Sequence, residues 1–126
     1  MSDFSDKWVG CMRSHDIPVP DLETLNEALE FIDKVHSAWE NAGGGEQLLI
    51  AGLLGAGAFV GLDEAALGVL ATAGEVTAIL YLAACIGCLG SAALSDLISL
   101  NEQGALPEYV VSTLQDQGTD LNTAVA

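Results

Sequence analysis

The sequence predicts an all-α fold: a helical bundle of five or six helices around a hydrophobic, Gly/Ala-rich helical hairpin. Apolar residues between positions 21 and 41 recur at spacings of three and four, the signature of one face of a helix. The 49 residues from 47 to 95 carry only three charges, Asp63, Glu64 and Glu75. No stretch alternates polar and apolar residues for long enough to require a strand. With 126 residues the chain has the size of a single domain with one core. Within it, 1–45 reads as acidic amphipathic helices, 46–100 as an apolar block, and 101–126 as a C-terminal amphipathic helix with a frayed tail.

In chain order, a short helix is expected over residues 3–14, followed by a stiff connector, because Pro18 and Pro20 favour extended backbone. The second helix, over 21–41, places Leu22, Leu25, Leu29, Ile32, His36 and Trp39 on one stripe, with Asp21 as N-cap. Gly43, Gly44 and Gly45 end it. The apolar block divides into helices over 46–60, 64–73 and 75–100, jointed at Gly61 and Gly74, with Asp63 as cap of the second. A last helix over 107–117 has Pro107 in its first turn and Gly118 at its exit.

Eighteen acidic residues against three basic ones give a net charge of -15, while 51% hydrophobic content excludes wholesale disorder. Lys7, Arg13 and Lys34 are the only Lys or Arg residues, so a phosphate backbone is repelled and nucleic acid is not expected as a partner. A basic protein is a better match. The first ten residues are polar and acidic, which reads as cytoplasmic synthesis without a signal peptide, with any export by a signal-independent route.

Enzymatic function is not expected. The chain has no G-x-S-x-G, no phosphate loop and no H-E-x-x-H, and Cys11 with His15 lacks an oxyanion partner, so no catalytic residue is assigned. Cys85 and Cys88 form a C-x-x-C inside an uncharged helix, and Cys11 and His15 add two more soft ligands. Those four residues are a conceivable tetrahedral zinc set. Such sites usually sit on turns with a supporting outer shell, so the cysteines read instead as small buried hydrophobes, with no metal or cofactor. Three cysteines, an odd number, do not look like a secreted disulfide framework.

Two uncharged runs, 47–62 and 76–95, make the apolar block marginal between a buried core and a membrane segment. The first offers Leu48, Leu49, Ile50, Leu53, Leu54, Phe59 and Val60 for insertion, and the second Ile79, Leu80, Tyr81, Leu82, Ile86 and Leu89. Gly52, Gly57, Gly61 and Gly87 belong to rows of small residues that let helix backbones approach closely. Ionised carboxylates are costly in hydrocarbon, so Asp63, Glu64 and Glu75 are the expected pH-sensitive positions. In the soluble form Asp63 and Glu64 also serve as helix-end acids.

An acidic shell around a Gly/Ala-rich hairpin resembles, over residues 45–95, the pore-forming bacteriocins and small membrane-targeting antibacterial effectors. That resemblance implies a non-enzymatic toxin or effector whose hairpin enters a lipid bilayer, with a cognate immunity or chaperone protein as a further partner. Two other readings are a soluble acidic adaptor or immunity-like binding module, and a small constitutive inner-membrane protein.

Overall fold

A computed structural model describes residues 3–123. Among them lie six helices and no named strand: α1 (Asp3–Ser14), α2 (Leu25–Asn41), α3 (Ile50–Gly55), α4 (Glu64–Thr72), α5 (Ala78–Glu102) and α6 (Glu108–Asp116). The all-α class follows. The long α5 is the hub, with α1, α2 and α6 packed against it, while α3 pairs with α4.

Helix α1 carries Asp3 and Asp6 in its first turn and Arg13 in its last, the polarity that suits the helix dipole. Its buried residues, Ser5, Trp8 and Met12, lie three and four apart and face α5. Helix α2 starts four residues later than the sequence suggests. Thr24 is the N-cap, its hydroxyl accepting from the Glu27 amide at 3.2 Å, whereas the Asp21 carboxylate accepts from the Ser5 hydroxyl at 2.7 Å and ties the connector to α1.

The buried stripe of α2 is also rotated from the expected one. Ala28, Phe31, Ile32, Val35 and Ala38 are buried, while Leu25, Leu29, His36 and Trp39 flank them half-buried. Both stripes share Ile32, so α2 has one broad apolar face, and α5 takes the side rich in alanine and β-branched residues.

The two apolar runs fold to unequal lengths, with the first helix shorter than the expected 46–60. The first apolar run folds as only six helical residues, α3, because Gly57 at φ +68° ends the helix and 58–62 continue as loop. The start of α3 is joined to the start of α5 by an isolated antiparallel bridge, Leu49 with Thr77, in which the Ala78 amide donates to the Leu48 carbonyl at 2.8 Å. Asp63 caps α4, accepting from the Ala66 amide at 2.8 Å.

Helix α5 begins after Thr77, whose hydroxyl accepts from the Leu80 amide at 3.3 Å. It kinks at Ala93, two residues after the Gly90-Ser91 pair, the kind of sequence at which helices bend. The tail is not frayed as far as residue 123. Leu121 is buried, and the Asn101 side-chain amide donates to the Asn122 side-chain oxygen at 3.0 Å; residues 124–126 of the expected tail lie outside the described residues.

Candidate functional site

The inner face of α5 is anchored from three directions. From α1, the Trp8 indole N–H donates to the Cys85 carbonyl at 3.2 Å, with both side chains fully buried. From the connector, the Pro18 carbonyl accepts the Tyr81 hydroxyl at 2.8 Å, and Phe31 of α2 meets the Tyr81 ring edge-on at 6.2 Å. From α6, Leu114 packs over Gly90 so tightly that a Cβ there would lie 3.1 Å from a leucine methyl. Among the described residues no buried side-chain polar atom is left without a hydrogen bond. Burial pushes the Tyr81 hydroxyl and the Cys85 thiol well above their ordinary titration ranges, which favours the protonated form of each.

The outer face of α5 is different. Leu80, Ala84, Gly87, Ser91 and Leu94 follow one another at spacings of four, three, four and three, and Leu80 and Leu94 are 61% and 40% exposed. This strip carries no charge. Leu80, Ala83, Ala84 and Gly87 line a cleft of about 770 Å³ together with Cys11, His15 and Ile17 from α1 and its following turn, Gln117 beyond α6, and Glu75.

Cys11 and Cys88 are joined by a disulfide, which links α1 to the middle of α5 across 77 residues of sequence, and Cys85 remains a free, buried thiol. The expectation of three small buried hydrophobes therefore holds for Cys85 alone. The sequence spacing carries no sign of the pairing, because it arises where α1 crosses α5 and brings the two Cα atoms to 5.6 Å. His15 lies beside the disulfide, with ligand atoms of Cys11, His15 and Cys88 all within 4.8 Å of one another.

The insertion candidates of the second run all lie in α5. Tyr81, Leu82, Ile86 and Leu89 are on its buried side, with Ile79 and Leu80 exposed. Those of the first run do not share one helix. Ile50 and Leu53 are buried in α3, Leu48, Leu54 and Phe59 are half-buried, and Leu49 and Val60 are exposed in the segments around it.

The proposed packing glycines are also dispersed. Gly52 faces open space, Gly57 and Gly61 lie in turns with positive φ, and the Gly61 carbonyl accepts from the Lys34 ammonium at 2.9 Å. A Cβ on Gly87 would meet the Gln117 amide oxygen at 2.7 Å, the far end of an exposed, flexible side chain. The glycine that sets a helix separation is Gly90, which sequence spacing did not single out. Asp63 and Glu64 sit at the α4 N-terminus, and Glu75 is exposed two residues before the α5 cap, at the mouth of the cleft.

On the opposite flank, His36 of α2 stacks on Tyr109 of α6 with ring centroids 3.7 Å apart, and its Nδ1 lies 3.0 Å from a Glu40 carboxylate oxygen. Tyr109 donates its hydroxyl to Asp33 at 3.2 Å; burial first, then the Asp33 charge and hydrogen bond, hold its proton more tightly than usual. These contacts tie α2 to α6.

Compared with known protein families, with curated proteins and with solved structures, the chain matches none. Its function has to be argued from α5 and its surroundings.

Proposed function

We propose that this chain is a non-enzymatic, membrane-active protein that holds α5 as the hub of its folded bundle and yields it to a lipid bilayer. The observation that supports this is α5 itself. Its 25 residues are enough to cross a hydrocarbon core of about 30 Å, and its most apolar 18-residue stretch, of mean hydropathy 1.9, is only 39% buried. An uncharged strip from Leu80 to Leu94 is left in water on a protein with a net charge of -15. With α3 only six residues long, the inserting unit is one helix rather than the hairpin of the layout resemblance. A bacterial toxin or effector, guarded before delivery by a chaperone or immunity protein that covers the strip, is the setting that fits such a device.

The test is release of a trapped dye from anionic vesicles by the protein in the presence of a reductant, measured from neutral to acid pH. Ser91 is exposed on the outer strip, near the middle of α5, so Ser91→Asp leaves the fold intact while placing a charge at the depth where insertion is most costly. That charge costs about 2.5–3.5 kcal/mol on insertion scales, and release should fall by roughly two orders of magnitude. Equal release by wild type and Ser91→Asp removes α5 as the inserting element. Vesicles that stay sealed at every pH down to acid unfolding leave the acidic binding module as the better account, a reading favoured by the hydrogen bonds of Trp8 and Tyr81 that anchor α5.

A further inference from the structure

We propose that Cys11, His15 and Cys88 form a redox-switched zinc site: a thiolate–imidazole–thiolate set that binds Zn²⁺ when reduced and is closed by the disulfide when oxidised. The proposal is independent of whether α5 enters membranes. The four-ligand set conceivable from sequence needed Cys85, but that thiol is fully buried on the inner face of α5 and takes no part. The structure assembles the other three. Cys11 lies in the last turn of α1, His15 in the turn that follows it, and Cys88 comes up from α5 beneath them, so that their ligand atoms converge.

Tetrahedral zinc with Zn–S of about 2.3 Å and Zn–N of about 2.0–2.1 Å holds its ligand atoms roughly 3.5–3.8 Å apart. The three ligand atoms here already lie within 4.8 Å of one another. A metal therefore requires side-chain adjustment around fixed helices, not refolding. All three residues line the cleft beside α5, as do Asp16 and Glu75, so the fourth position is open to water or to a carboxylate. Two thiolates compensate the charge of Zn²⁺, which makes the occupied site nearly neutral within an apolar cleft, and the anionic protein concentrates divalent cations around it.

The two states exclude each other because they use the same sulfurs. A dithiol reductant donates two electrons and two protons to the Cys11–Cys88 bond and becomes a disulfide itself. The two thiols then release two protons to solvent as Zn²⁺ binds. A small-molecule disulfide reverses the sequence: exchange with it takes two electrons from the two thiolates, re-forms the Cys11–Cys88 bond, leaves the small molecule as two thiols and expels the ion.

Cobalt titration tests the site, because Co²⁺ takes tetrahedral thiolate ligands and reports them by charge-transfer absorption. The full chain is reduced with a water-soluble phosphine, which takes its oxygen from water, desalted without air, and titrated with Co²⁺ and then Zn²⁺. The expected result is a thiolate-to-cobalt band that saturates at one equivalent and is bleached by one equivalent of Zn²⁺. The band should be absent from the oxidised protein, from Cys11→Ser and from Cys88→Ser, and unchanged in Cys85→Ala. In His15→Ala binding should weaken by more than the roughly tenfold that loss of an outer-shell partner costs. No band at one equivalent in the reduced wild type, whether or not circular dichroism shows it folded, overturns the proposal. So does a band that survives in Cys11→Ser or is lost in Cys85→Ala.

Discussion

Tyr81 and Cys85, one turn apart on the inner face of α5, make the fold sensitive to alkali. Their ordinary titration points are 10.0 and 9.0, and burial raises both in the folded chain, with the Cys85 charge adding to the effect on Tyr81. A raised folded value means that the unfolded chain loses its proton first. Stability is therefore unaffected by these groups below about pH 9, and falls as pH rises through 9 and then 10, by about 1.4 kcal/mol per pH unit for each group engaged. Denaturant midpoints measured between pH 8 and 11 should decline in that window, and Cys85→Ala should delay the onset by about one unit. A midpoint that stays level to pH 11 in the wild type shows that neither group is held neutral by the fold.

At the scale of elements, the approach of α5 to α6 depends on Gly90, where an added Cβ meets Leu114 at 3.1 Å within a packed interface. Gly90→Leu should overpack that interface and cost about 1–3 kcal/mol, whereas Gly87→Leu has to displace the exposed end of Gln117 and its one hydrogen bond to the Ala83 carbonyl and should cost less. Thermal unfolding of the two variants side by side checks the ranking, and equal midpoints refute it. The contrast also marks what a sequence makes legible. Helices α1, α4 and α6 were readable to within a residue or two, because Asp63, Pro107 and Gly118 act on their nearest neighbours. Helix α3 was not, since Gly52, Gly55 and Gly57 shorten it and the Leu49–Thr77 bridge that fixes its start depends on residues 28 apart in sequence. The Cys11–Cys88 pair was hidden for the same reason. Its partners meet only because α1 crosses α5, and no local spacing encodes that crossing.

For the whole molecule, the proposed release of α5 to a bilayer makes the disulfide and the charge the two controls to test. Cys88 is the eleventh of the 25 residues of α5, so a bilayer-spanning α5 places it near mid-depth. While the disulfide is closed, Cys11 has to follow, and with it an α1 that bears Asp3, Asp6, Lys7 and Arg13. Charges at that depth cost about 2.5–3.5 kcal/mol each on insertion scales. Opening the disulfide removes the covalent tie between α5 and α1, leaving the Trp8 hydrogen bond and the packing of Met12, and also lifts the cross-link's constraint on the unfolded chain, worth typically 2–4 kcal/mol of stability. Reduction alone should not suffice at neutral pH, because 18 acidic residues repel an anionic surface. Acid lowers that repulsion, and added salt screens it. Dye release from anionic vesicles should therefore require both conditions: slow for oxidised protein at any pH above unfolding, slow for reduced protein at neutral pH in low salt, and fast for reduced protein in acid. Cys11→Ser should behave as the reduced protein does, with or without reductant. Salt should speed release near neutrality and have little effect once acid has discharged the surface. Oxidised wild type that releases dye in acid as fast as Cys11→Ser would show that α5 does not need to part from α1, and with it that the helix does not cross the bilayer.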